Sequence, residues 1–151
     1  ILIVPDDPDD VPEVVTHLLR VGFDDVQGYL EGGLGDWETS GFELGRLATT
    51  SVHDLADRLQ GEGSRPFVLD VRTDGEWDAG HIEGAHHIHG GTLEERYAEV
   101  PKDRPVAVVC GSGYRASIAS SFLKREGYTD VANVLGGMAA WKAAGFPAVK
   151  D

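Results

Sequence analysis

The chain holds a single cysteine, Cys110, and it stands directly after the apolar run Val106-Ala107-Val108-Val109. Behind it the sequence reads Gly111-Ser112-Gly113-Tyr114-Arg115. Two glycines let a loop curl so that successive N–H groups point at one centre. Such a nest, followed by a helix N-terminus, stabilises negative charge. A thiolate at Cys110 would sit in that field, and Arg115 would close the ring with a fixed positive charge. The pattern predicts a nucleophilic sulfur and a guanidinium partner for an incoming anion. Gly111, Ser112, Gly113 and Tyr114 are the candidate substrate-binding residues of the loop. A lone cysteine at a strand end is often only a small buried hydrophobe; the glycines and Arg115 at this spacing favour chemistry.

Other residues read more plainly. Asp70 ends a second apolar run, and Arg72 stands four residues before Glu76, within i,i+4 reach if that turn is helical; both read as scaffold. His81, in Gly80-His81-Ile82, is expected to satisfy loop backbone groups. His86-His87-Ile88-His89 has the look of a metal tract. Strand alternation would split it, with His87 and His89 on one face and His86 on the other. No cysteine or paired carboxylate completes a zinc-type set, so no metal and no cofactor is expected. Trp37, Trp77 and Trp141 read as packing residues.

The elements that would position this loop alternate between strand and helix. Ser51 with Asp54 three residues on is a helix start, and Gly61-Glu62-Gly63-Ser64 is its break. Phe67–Val71 reads as a buried strand, Glu76–Asp78 as a helical turn, and His86–Ile88 as a short strand. A helix starts at Thr92–Tyr97 and stops near Pro101. Then follow the strand Val106–Val109, a helix from about Arg115 to Glu126, the strand Val131–Leu135 and a helix around Met138–Ala144. Alternation of this kind implies a parallel sheet covered on both faces. In such sheets ligands bind at the carboxyl ends of strands, which is where Cys110 falls.

The chain also repeats itself. Ile1–Val4 matches Val106–Val109, and Leu18-Leu19-Arg20-Val21-Gly22-Phe23 matches Leu123-Lys124-Arg125-Glu126-Gly127-Tyr128. Asp25-Val26 matches Asp130-Val131 as the opening of a strand. Gly32-Gly33 with Trp37 matches Gly136-Gly137 with Trp141, and Gly41-Phe42 matches Gly145-Phe146. The two segments read as one supersecondary unit. Only the second has a lead-in, residues 46–105. The expected organisation is therefore the back half of one domain, residues 1–45, and a whole domain, residues 46–151. Near Leu44–Thr50 no periodic pattern is visible. In the first copy Pro5 takes the place of Cys110 and Asp10 that of Arg115, so the first copy has no nucleophile.

Charge divides the chain in the same way. Of 151 residues, 26 are acidic and 13 are Lys or Arg, for a net charge of −13. Residues 1–45 hold eleven of the acids and Arg20 alone among the bases, a net of −10. Such a balance argues against nucleic acid and against anionic membrane surfaces. No apolar run approaches the roughly 20 residues of a membrane helix. One cysteine cannot form an internal disulfide, so a reducing, cytoplasmic compartment is expected. The only methionine is Met138, and Ile1 is read as an internal residue of something longer.

Residues 46–151 resemble the rhodanese family. The resemblance rests on Cys110-x-x-Gly113-x-Arg115, Leu69-Asp70-Val71-Arg72, Glu76-Trp77, Gly80-His81-Ile82-Glu83-Gly84-Ala85 and Gly136-Gly137-Met138-Ala139-Ala140-Trp141. It implies an α/β, rhodanese-like fold: a five-stranded parallel sheet flanked by helices on both faces, here preceded by the back half of a degenerate unit. It also implies that Cys110 takes a sulfane sulfur from thiosulfate or a persulfide such as glutathione persulfide. The sulfur would then pass to a thiol or cyanide acceptor. Related phosphatases use a Cys-x5-Arg loop; four residues separate Cys110 from Arg115, a ring better suited to one sulfur atom than to phosphate. The pairing of a degenerate and an intact copy further resembles the C-terminal part of fusions in which a metallo-β-lactamase-fold enzyme precedes rhodanese domains, some of them persulfide dioxygenases. That likeness rests on Gly28-Tyr29-Leu30-Glu31-Gly32-Gly33 and on His87-Ile88-His89 with the Cys110–Arg115 loop. A plain tandem rhodanese is the alternative. Two functional readings follow: a sulfurtransferase working through a Cys110 persulfide, or a module that senses or carries sulfur without turnover beside an upstream enzyme.

Overall fold

The computed structural model describes residues 1–61 and 63–150, and the chain divides into two compact units, residues 1–46 and 47–151. Glu62, part of the expected helix break, lies outside the described residues.

In the first unit, β1 (Leu2–Ile3) leads through a 3-10 turn at Pro8–Asp10 into α1 (Val11–Arg20), followed by β2 (Gly28–Tyr29) and α2 (Gly33–Thr39). β1 and β2 pair in parallel, Leu2 with Gly28 and Ile3 with Tyr29. The second strand thus starts later than the expected Asp25-Val26. Its ladder is opened by the Gln27 N–H donating to Ile1 O at 2.9 Å and closed by the Leu30 N–H donating to Ile3 O at 2.8 Å. Asp24 and Asp25 are poor strand formers and remain outside it.

In the second unit the order is β3 (Ala48–Thr50), α3 (Val52–Gln60), β4 (Phe67–Asp70), α4 (Asp74–Asp78), β5 (His86–His87), α5 (Leu93–Arg96), β6 (Val106–Val109), α6 (Tyr114–Arg125), β7 (Val131–Val134) and α7 (Gly137–Ala143). The strands form one five-stranded sheet in the order β3-β7-β6-β4-β5, every pairing parallel. β3 is the strand the sequence hides. It lies at an edge and is mostly exposed, so it carries no apolar alternation to betray it. α3 begins as expected: the Asp54 N–H donates to Ser51 Oγ at 3.0 Å, and Ser51 Oγ donates back to Asp54 Oδ2 at 2.7 Å.

Side-chain alternation along the central strands separates two cores. Leu69, Val71, Val106, Val108 and Cys110 face α5 and α6, packing on Leu93, Ala116, Ala119 and Leu123. Val68, Ala107, Val109 and Val134 face α3 and α7, packing on Val52, Leu55, Met138 and Trp141. The sheet is therefore covered on both faces, and Cys110 points to the α6 side. No described helix is long and apolar enough to cross a membrane.

The sequence repeat has a structural counterpart. β1 pairs with β2 in the register in which Ala107-Val108 of β6 pair with Ala132-Asn133 of β7. Gly22 and Gly127 end their helices at φ +88 and +89. Trp37 donates from Nε1 to Glu43 O at 3.2 Å, and Trp141 to Pro147 O at 2.8 Å. Each tryptophan lies against a phenylalanine, Phe42 or Phe146, at 4.5 and 4.8 Å between ring centroids. The burial differs: Trp141 is buried in its unit, whereas Trp37 is 38% exposed.

Candidate active site

β6 delivers Cys110 to the carboxyl edge of the sheet, and the chain turns through Gly111–Gly113 into α6. Gly113 has φ +103, a left-handed conformation that costs glycine little and other residues more. That turn aims the Gly113 N–H at Cys110 Sγ, 3.1 Å away. One loop amide of the expected nest therefore bonds the sulfur. The loop backbone is gripped from the other side by α7. Met138 N–H donates to Cys110 O at 2.8 Å, and Ala139 N–H to Gly111 O at 2.9 Å. A Cβ on Gly137 would lie 2.2 Å from Cys110 O, and its φ is +51. Only glycine allows the helix to approach the loop this closely.

Cys110 is 1% exposed. Burial follows from the α7 clamp behind it and from Ala116 and Ala119 of α6 against it. Ser112 is exposed and Tyr114 is 76% exposed.

Arg115 lies in the first turn of α6, and its guanidinium extends over Gly111, where an added Cβ would meet Nη2 at 3.1 Å. It is not the free cation expected from sequence. Nη1 donates to Glu76 Oε2 and Nη2 to Glu76 Oε1, both at 2.7 Å, a bidentate pair of α6 with α4. The Arg115 guanidinium, donating to both carboxylate oxygens, draws the Glu76 carboxyl down from 4.5 to about 2, helped by hydrogen bonds from Thr73. Glu76 in turn raises Arg115 above its ordinary value. Thr73 holds the same carboxylate through its N–H at 3.1 Å and its hydroxyl at 2.8 Å.

The position of Glu76 is set by a buried ion pair. Arg72 and Asp70 side chains are 3% and 1% exposed. Arg72 Nε donates to both Asp70 oxygens at 2.9 Å, and Nη2 to Oδ2 at 2.6 Å. Arg72 Nη1 then reaches Glu76 O at 2.8 Å and Nη2 reaches Gly80 O at 3.1 Å. The Arg72–Glu76 spacing thus yields a bond to the backbone carbonyl and not to the carboxylate. The scaffold reading of Asp70 and Arg72 fits this geometry: they tie the end of β4 to α4. Glu76 as the partner of Arg115 was missed. The Thr73-x-x-Glu76 cap is visible in sequence, but the pairing across 39 positions is not.

The histidines go to structural partners. His81 Nδ1 lies 3.3 Å from Trp77 O, as a loop-satisfying residue should. Trp77 stacks between the rings of His81 and His87 at 3.5 and 4.9 Å. His87 Nε2 bonds Arg72 O at 2.8 Å, and His86 Nε2 meets Glu99 Oε2 at 3.0 Å. Among the described residues no group of three or more histidines, cysteines or carboxylates gathers as a metal set. Beside Arg115 opens a cleft of about 350 Å³, walled by Val71, Leu93, Ile118 and Phe122, with His89 and Glu94 also lining it. Sequence reasoning did not find it, because its wall joins residues of three separate elements.

Residues 51–144 match the model of the rhodanese-like domain. A sulfurtransferase of Allochromatium vinosum is 38% identical over 83 residues, covering 55% of this chain and 78% of that protein. A probable adenylyltransferase/sulfurtransferase of Mycobacterium tuberculosis is 33% identical over 96 residues, covering 62% of this chain but 24% of that protein. The crystal structure of a rhodanese-related protein from Thermoplasma volcanium superposes with a TM-score of 0.63 at 29% identity, covering 69% of this chain and 99% of that one. The parallel sheet, the strand-end cysteine loop and these likenesses agree: the chain belongs to the rhodanese-like domain family.

Proposed function

We propose that the second unit is a sulfurtransferase that carries sulfane sulfur on Cys110. The Cys110 thiolate attacks the outer sulfur of a donor R–S–SH. The new S–S bond forms as the donor's own S–S bond breaks. Cys110 leaves as a persulfide and R–S⁻ is released; with thiosulfate the leaving group is sulfite. A thiol or cyanide then takes the outer sulfur and returns the Cys110 thiolate. The Gly113 N–H, 3.1 Å from Sγ, stabilises the Cys110 thiolate that attacks the donor and is returned at the end of the cycle. Arg115 and Glu76 hold the loop mouth, and α7 fixes its backbone. The observation that carries this reading is the sulfur itself, set at a strand end with a loop amide aimed at it. A reducing compartment such as the cytoplasm suits a thiol that must remain free.

The experiment is thiocyanate formation from a sulfane donor and cyanide. Wild-type protein is expected to turn over repeatedly, and Cys110→Ser to be inactive with its fold retained. Appreciable activity in Cys110→Ser removes the assignment.

The burial of Cys110 favours one further reading, in which the domain stores or senses sulfur without turnover. A single stoichiometric release of sulfur, with no second cycle, would distinguish it. We read residues 1–46 as a degenerate unit of the same kind, with Pro5 where the nucleophile stands in the other and a structural rather than chemical role.

A further inference from the structure

His81, His86 and His87 are committed to partners: His81 lies 3.3 Å from Trp77 O, His86 3.0 Å from Glu99 Oε2 and His87 2.8 Å from Arg72 O. His89 differs from them. Among the described residues its ring has no hydrogen-bond or ionic partner. It is exposed and lines the cleft beside Arg115. Its backbone is fixed nonetheless. The Gly90 N–H donates to Val71 O at 3.2 Å, and the Thr92 N–H and hydroxyl both donate to His89 O, at 2.9 and 3.0 Å. Gly91 leaves the ring its place, since a Cβ there would meet His89 Cε1 at 3.1 Å and Nδ1 at 3.3 Å. The cleft extends toward the sulfur: Val71, Leu93 and Ala119 line it and also pack in one cluster with Cys110.

Sulfur leaves Cys110 when an acceptor attacks the outer sulfur, and a thiol attacks as its thiolate. An ordinary thiol is only a few per cent thiolate near neutral pH, so a base that takes its proton speeds the step. Three groups lining the cleft carry charge or can take a proton: His89, Glu94 and Arg115. Arg115 is a cation bound to Glu76 and has no proton-accepting atom. Glu94 offers a carboxylate, as a class too weak a base for a thiol. An imidazole is the side chain suited to that task. We propose that His89 is the general base of the second half of the cycle, taking the proton of an acceptor thiol in the cleft. The proposal rests on the sulfur-transfer reading above and adds a catalytic residue to it. The step is R′SH + Cys110–S–SH + His89 giving R′S–SH + Cys110–S⁻ + protonated His89. The thiol proton passes to the imidazole, and R′S⁻ bonds the outer sulfur. The S–S bond to Cys110 breaks, its electron pair going to Sγ beside the Gly113 N–H. The total charge is unchanged, and the exposed imidazolium returns its proton to solvent.

The test isolates the second half of the cycle. Wild type, His89→Ala and His89→Gln are charged with glutathione persulfide and freed of excess donor. Each is then mixed at about neutral pH with one of two acceptors, and loss of sulfur from Cys110 is followed by quenched-flow mass spectrometry. N-acetylcysteine carries a thiol proton at that pH; 4-nitrothiophenol is already ionised and needs no base. With N-acetylcysteine both variants are expected to be slower than wild type by about tenfold or more. With 4-nitrothiophenol they are expected to stay within about twofold of wild type. His89→Gln keeps a polar side chain that accepts no proton from a thiol, so it should match His89→Ala. Equal slowing with both acceptors overturns the proposal and leaves His89 as a residue that only shapes the cleft. So does either variant passing sulfur to N-acetylcysteine at the wild-type rate. A wild-type protein that does not charge, or that gives its sulfur to neither acceptor, removes the sulfur-transfer reading, and this proposal with it.

Discussion

Replacing Glu76 by alanine severs the link between α4 and Arg115 beside the Cys110 loop. Three groups lose an acceptor: the Arg115 guanidinium with its two bonds of 2.7 Å, the Thr73 N–H and the Thr73 hydroxyl. The Arg115 and Glu76 side chains are 41% and 39% exposed, so solvent screens their attraction and the pair is worth about 1 kcal/mol rather than the value for a dry pair. Losing the helix-start contacts at Thr73 adds about 1 kcal/mol. The total, about 2 kcal/mol, corresponds to a melting-point drop of roughly 10 °C in a unit of this size. The pH dependence carries the sign. Glu76 titrates at about 2 when folded and near 4.5 when unfolded. Its pair therefore stabilises fully above the unfolded value and loses its effect as pH falls from about 4.5 to about 2. The assay is thermal and denaturant unfolding of wild type and Glu76→Ala, followed by circular dichroism across that range. A stability gap near 2 kcal/mol at neutral pH that closes on acidification is expected. A gap that is the same at about pH 6 and about pH 2.5, or one below about 0.5 kcal/mol throughout, refutes the reasoning.

Three further outcomes are expected. Gly137→Ala places a Cβ 2.2 Å from Cys110 O at a φ of +51; it should destabilise by more than about 2 kcal/mol in denaturant unfolding and displace the loop. Asp70→Ala leaves Arg72, 3% exposed, without its charge partner and should cost about 3–5 kcal/mol by the same measurement. Residues 47–151 contain both cores and should unfold cooperatively alone, with a circular-dichroism melt matching that unit in the full chain.

Much of the second unit was legible because its elements are punctuated. β6 is a continuous apolar run, α3 has a reciprocal cap, and Gly113 and Gly127 stand where left-handed backbone is needed. The place of Cys110, at the end of β6 and before a glycine turn, was legible for the same reason. β3 was not legible, since an exposed three-residue edge strand is held by its pairing with β7 and not by its own pattern. The state of Arg115 was not legible either. Its spacing from Cys110 is local, but its partner comes from α4, brought near by the Asp70–Arg72 pair at the end of β4. The burial of Cys110 depends on α7 reaching back to the loop through Gly137, a contact between segments far apart in sequence.

Intact-mass analysis of the chain after incubation with a sulfane donor tests the central claim most directly. Cys110 is the only cysteine, so any thiol-borne sulfur has one address. The account predicts the gain of one sulfur atom, mapped to the Cys110 peptide, removed by cyanide with release of an equal amount of thiocyanate, and absent in Cys110→Ser. A chain that gains no sulfur while still producing thiocyanate, or a Cys110→Ser variant that gains sulfur as wild type does, contradicts it.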